Sequence, residues 1–295
     1  MNSSTKRSHS LLVPAIVSIL IATGALWFFF HQGSSQPPAL DEESGANRPA
    51  ASSSTPSPLA ADTTLPPEIS DNQQEQEVSE PLAVLPSREN LPQAAQGIAT
   101  FYNYLDQQGY IKARHLSTPS HIYFTRLIQK IIDTPPIVTR ETDDLATILK
   151  NSIHLFRILG KDDILLSKEI LNHEQDKIEE IMADYFLLTE QADDLGPELS
   201  LKLPENARYE YACFFLNTMG GKLYLARRDS RTRMVISYYA IMIIHQTNLQ
   251  GKNSYGIQLQ PALDLLTAEI ETGGNQLHYK EAYLDTLYGL KEKYQ

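Results

Sequence analysis

The sequence predicts an all-α protein. It reads as an irregular helical bundle, or a solenoid of helical hairpins, of about 8–10 helices, preceded by one transmembrane helix and a disordered linker. Three observations predict this. Residues 11–30 carry no charge; the next stretch is rich in Pro, Ser, Ala and acids without hydrophobic period; and from residue 92 apolar residues recur every three or four positions.

The uncharged run, LLVPAIVSILIATGALWFFF, is long enough as a helix to span roughly 30 Å, the thickness of a bilayer core. Pro14 falls in its first turn, where a missing N–H costs least, and Trp27 suits the headgroup boundary. Lys6 and Arg7 precede the run, and no positive charge follows until Arg48. The positive-inside rule therefore puts residues 1–10 in the cytoplasm and the rest across the plasma membrane, which means the periplasm in a diderm bacterium. The competing reading is a cleaved signal peptide. Its apolar region would be shorter, about 7–15 residues, and would end in small residues rather than Trp-Phe-Phe-Phe. Ser18 and Ala22 make a small-xxx-small pair, the expected contact if two copies dimerise through this helix.

Residues 31–91 read as the linker. More than half of the 17 prolines lie here, and ten acids face two bases, Arg48 and Arg88. Scattered large apolar residues cannot bury enough surface to offset chain entropy. The chain as a whole carries a formal charge of −11, and residues 92–295 are mildly acidic, which argues against nucleic-acid binding. The single cysteine, Cys213, rules out an intramolecular disulfide and sits in the apolar run Tyr-Ala-Cys-Phe-Phe, so burial is expected rather than reactivity.

The helical domain is expected over residues 92–295. Residues 93–108 place Ile98, Phe101, Tyr102 and Leu105 on one face before Gly109. Thr118-Pro119 reads as a cap and first turn for a helix through Phe124, Leu127, Ile128 and Ile131, closed by Pro135-Pro136. Thr142 is expected to cap a helix with Leu145, Ile148, Leu149, Ile153, Phe156 and Leu159 on one face, with Gly160 ending it. Residues 162–172 and 174–191 follow as one bent helix, then a loop at Gly196-Pro197 and a helix over 205–218 that Gly220-Gly221 terminate. The run 230–249 is apolar nearly all round, the mark of a helix in the middle of a bundle. Gln260-Pro261 starts another helix, and Asn275 is expected to cap the last. A stray strand would fit only at Val138 or at residues 222–226. The chain does not keep a tetratricopeptide register, since Asp163 stands where an aromatic belongs.

Catalytic signals are thin. Glu169, His173, Asp176 and Glu180 share a helical face and could hold a divalent ion, but Ile164, Leu171, Ile178 and Met182 form the opposite stripe, so that face points to water. No HxxxH or HExxH pair exists among the eight histidines, and Gly220-Gly221-Lys222 lacks the rest of a phosphate loop. Acid pairs such as Asp143-Asp144 suit helix starts. Four arginines, Arg227, Arg228, Arg231 and Arg233, cluster at the start of the central helix, where positive charge opposes the dipole. They call for an acid elsewhere in the fold or for an anionic partner. Fifteen tyrosines suit inter-helix packing. No residue pattern asks for a metal or a cofactor.

The expected function is a membrane-anchored, extracytoplasmic binding or scaffolding module of a cell-envelope complex, acting without catalysis on an envelope protein partner. The alternative is a membrane-tethered hydrolase or lyase acting on cell-wall glycan or peptide through carboxylates that the sequence does not single out. A cleft with two facing acids favours the enzyme; a shallow groove or apolar patch favours the scaffold.

Overall fold

Helical periodicity governs the chain from residue 91 onward, as a computed structural model covering residues 83–139, 143–190, 204–225 and 230–295 shows. The predicted membrane helix, the linker up to residue 82, Thr142 and the loop at Gly196-Pro197 lie outside the described residues. Among the described residues the regular structure is all helical, with no strand. The helices are α1 (Leu91–Gln107), the single turn α2 (Gly109–Lys112), α3 (Ser120–Ile132), α4 (Leu145–Ser152), α5 (His154–His173) and α6 (Gln175–Glu190). They continue with α7 (Glu205–Asn217), α8 (Met219–Leu225), α9 (Ser230–Leu249), α10 (Gln260–Gly273) and α11 (Lys280–Tyr294). No helix among them is long and apolar enough to cross a membrane.

The core joins helices distant in sequence. α1 lies along α6 and also meets α3, which packs on α5. α7 packs on α9 and α8, α8 on α4, and α9 continues through α10 to α11. α9 buries Met234, Val235, Ile236, Tyr238, Tyr239, Ile241 and Ile244, covering most of its circumference. Tyrosines fill much of the interior: the Tyr102 and Tyr185 hydroxyls meet at 3.1 Å between α1 and α6. Tyr211 contacts the His154 ring nitrogen at 3.0 Å and donates to the Ile131 carbonyl at 3.1 Å. Ala83 and Leu85 pack against this core, so the packed unit reaches into residues 83–91, which the sequence had assigned to the linker.

Several expected boundaries fall differently, each for a local reason. The long helix expected over 142–159 is broken at Ile153 (φ −112°, ψ 8°) into α4 and α5. Its cap is Asp144, whose carboxylate accepts the Thr147 N–H at 2.7 Å. Leu145, Leu149 and Ile153, expected on its apolar face, are 71%, 57% and 48% exposed, and the one buried residue of α4 is Asn151. Asn151 donates to the Ile137 carbonyl (2.9 Å) and accepts the Ile137 N–H (3.3 Å), which fixes the helix with its amide inward. At Gly160 the chain leaves helical geometry (φ 75°), as expected, but α5 resumes beyond it, and the next break comes at Glu174. Gly220 and Gly221 do not terminate a helix. They lie buried inside α8, where a Cβ on Gly220 would stand 2.1 Å from the Asn151 Cβ and one on Gly221 1.6 Å from the Phe214 carbonyl oxygen. Their role is close helix approach, and residues 222–225 are helical rather than a strand.

Two further expected local caps are replaced by acids from elsewhere in the fold. Asp106 accepts the Ser120 N–H at 2.8 Å, in place of Thr118. Glu179, only 1% exposed, accepts the N–H groups of His278 (3.1 Å) and Tyr279 (2.9 Å) ahead of α11, in place of Asn275. A carboxylate at a helix N-terminus satisfies orphan donors and complements the dipole.

Candidate functional site

The perturbed carboxyl of Asp184 marks a groove between α1 and α6. Gly97 is the cause. A glycine inside a helix costs roughly 0.5–1 kcal/mol relative to alanine, and here it leaves the α1 backbone bare beneath Asp184, since a Cβ would stand 2.6 Å from Asp184 Oδ2. The groove encloses about 460 Å3. α1 contributes Gln93, Gln96, Thr100 and Tyr104; α6 contributes Lys177, Glu180 and Asp184; Phe101 and Ile181 line it between them.

Its electrostatics are uneven. Burial, and secondarily the Glu180 charge one turn away, push the Asp184 carboxyl up to about 7. Glu180 meets His278 Nε2 at 3.8 Å, at the edge of ion-pair range. Tyr279 is pushed up to about 12 by burial, with the Glu180 and Asp184 charges adding to the effect. Lys177 is held over the Tyr104 ring, 4.0 Å from its centroid, and pairs with Glu174 at 3.2 Å. The groove therefore presents amides and hydroxyls on one wall and a carboxyl pair on the other. That suits a hydrogen-bonding ligand. The two acids are i, i+4 neighbours on one helix, and no acid opposes them from α1.

The predicted arginine cluster is only partly described. Arg227 and Arg228 lie outside the described residues. Arg231 donates to Asp176 (2.9 Å) and Glu179 (3.3 Å), and Arg233 pairs with Glu269 at 2.9 Å. The Glu169, His173, Asp176 and Glu180 set is divided by the break at Glu174. Glu169 pairs with Arg114 at 2.7 Å, and His173 stacks on Tyr110 with ring centroids 4.5 Å apart. Among the described residues no three His, Cys, Asp or Glu side chains gather closely enough to hold a metal ion. Cys213 is buried, and burial pushes its thiol up to about 12. His154, also buried, is lowered to about 4 by desolvation, with Arg157 adding to the shift.

Sequence reasoning passed over Gly97, Asp184 and Glu179. An isolated glycine inside the α1 pattern was the available signal for close packing. Asp184 and Glu179 carried none, because their environments come from α1 and from the chain preceding α11. Comparison with family models, with curated proteins and with solved structures finds no match for this chain.

Proposed function

We propose that the protein is a membrane-anchored, extracytoplasmic helical module that binds an envelope partner in the α1–α6 groove and scaffolds a cell-envelope complex without catalysis. Residues 11–30 serve as the anchor, with residues 1–10 cytoplasmic, and the acidic Pro-rich stretch up to residue 82 serves as the tether. Ser18 and Ala22 offer a contact through which two anchors pair. The observation that carries the reading is the one-sided placement of acid in the groove. General acid–base hydrolysis of a glycosidic bond uses two carboxyls flanking that bond from opposite sides, whereas Glu180 and Asp184 share one wall and face amides and hydroxyls. Arg231 and Arg233 are engaged with acids of the fold, so the groove is the better-supported partner site.

The hydrolase or lyase alternative draws on Asp184, which at about 7 is poised to exchange a proton near neutral pH. One experiment separates the two. A photo-crosslinking residue at Thr100 in the full chain, activated in native membranes, is expected to give a discrete adduct. Gln96→Arg should abolish that adduct, while the same probe at exposed Glu281 should give none. Turnover of cell-wall glycan or peptide by the purified protein, lost in Asp184→Asn, would replace the scaffold reading with the enzymatic one.

A further inference from the structure

Helix α4 turns its apolar side outward. Ten large apolar or tyrosine side chains are exposed among the described residues, and five of them (Ile137, Leu145, Leu149, Ile153 and Met219) gather around this one short helix. The orientation is fixed. Asn151 clamps the Ile137 backbone from the inward side, Gly220 leaves no room to rotate the helix, and the Met219 N–H bonds Asp143 at 3.0 Å beside the start of α4. Exposed apolar side chains gathered this densely around one short helix mark a surface that meets something.

The charge around the patch indicates what it meets. Lys150 follows Leu149, Arg157 stands one turn beyond Ile153, and Lys222 stands one turn beyond Met219. All three are exposed, and none forms an ion pair among the described residues. Among the described residues the nearby acids are engaged: Asp143 with the Met219 N–H and the Thr139 hydroxyl, Asp144 with the Thr147 N–H and, more weakly, with the Lys150 charge. The ridge from Leu145 to Ile153 is only about 12 Å long at 1.5 Å per residue. At a helix width of roughly 10 Å that ridge covers on the order of 120 Å2, far less than the roughly 800 Å2 per partner a stable protein interface buries, and a second copy would present the same cations.

We propose that this face lies on an anionic lipid surface. Leu145, Leu149 and Ile153 enter the acyl boundary while Lys150, Arg157 and Lys222 extend their cationic ends to headgroup phosphates, the arrangement of an interfacial amphipathic helix. This rests on the anchor proposed above: about 50 residues of flexible chain average roughly 40 Å end to end, which would keep the face within reach of that bilayer. The α4 face is separate from the α1–α6 groove, so the proposal stands whether or not the groove binds a partner.

The test uses the full chain carrying Leu149→Cys labelled with a polarity-sensitive nitrobenzoxadiazole dye; buried Cys213 does not compete for label. The protein is placed in vesicles of phosphatidylcholine alone or of equimolar phosphatidylcholine and phosphatidylglycerol. Emission is expected to shift to the blue and to be quenched by acyl-chain spin labels in the anionic vesicles. Three cations near such a surface raise the inserted population by about 100-fold. Added salt and the double change Lys150→Glu, Arg157→Glu should remove the effect with helicity unchanged, and the same label at exposed Gln276 should stay water-like. A Leu149 label that remains water-like in both vesicles overturns the proposal. So does a blue shift that appears without lipid and grows with protein concentration, since that marks contact between copies.

Discussion

Replacing Gly221 by alanine tests the α7–α8 junction most directly. The added Cβ would lie 1.6 Å from the Phe214 carbonyl oxygen, 2.4 Å from its carbon and 2.9 Å from the Phe215 Cα. These are backbone atoms of a buried helix, so no side-chain rotation relieves the overlap, and α7 and α8 must separate by more than an ångström. Overpacking against flexible side chains costs about 1–3 kcal/mol. With backbone on both sides the cost should be about 3–4 kcal/mol, or roughly 10 °C in Tm for a domain of this size. Gly289→Ala provides the control: that glycine lies inside α11 with nothing within 4 Å of a new Cβ. It should gain up to about 1 kcal/mol from helix propensity. Urea and thermal unfolding followed by circular dichroism would measure both, with an unchanged m-value showing that the same cooperative unit melts. A Gly221→Ala loss below about 0.5 kcal/mol, the ordinary size for a surface change, would mean that α8 does not lie against the α7 backbone as described.

Three further outcomes follow from buried polar groups. Asp184 is raised from 3.8 to about 7, so the fold favours its neutral form. Its contribution is present in full below pH 4 and is lost as pH rises through 7, by about 1–2 kcal/mol once the exposure of the group is discounted. Asp184→Asn should be the more stable protein at pH 8, with the advantage gone at pH 4. His154, lowered to about 4, acts in the opposite sense as pH falls below 6.5, so the quantity to follow is variant minus wild type at each pH. Glu179→Ala takes one of its acids from Arg231, leaving the Asp176 contact, and unpairs two backbone donors, so it should cost about 2–4 kcal/mol. Glu179→Gln should recover part of that, and hydrogen exchange at His278 and Tyr279 should report both changes. Asn151→Ala removes both bonds to the Ile137 backbone and should cost about 1–3 kcal/mol, with Leu145 and Leu149 becoming mobile by methyl relaxation.

Helix content was legible because a 3.6-residue apolar period needs no tertiary information. Residues 230–249, apolar all round, did become a helix buried over most of its surface, and Gln260-Pro261 did start α10. Starts were less legible where the cap came from far away: Asp106 and Glu179 reach helices that begin 14 and about 100 residues downstream. The groove was least legible. Gly97 and Asp184 are 87 positions apart, and neither is unusual until α1 lies against α6.

The sequence by itself determined the class of structure, the charge balance and the single buried cysteine, all set by the identity and local spacing of residues. Only the tertiary structure decided which face of α4 looks outward, because two hydrogen bonds from Asn151 and the missing Cβ of Gly220 outweigh the apolar period that would have turned Leu145 and Leu149 inward. It likewise decided that Asp184 holds its proton near neutral pH, since desolvation belongs to the packed groove and not to the residue.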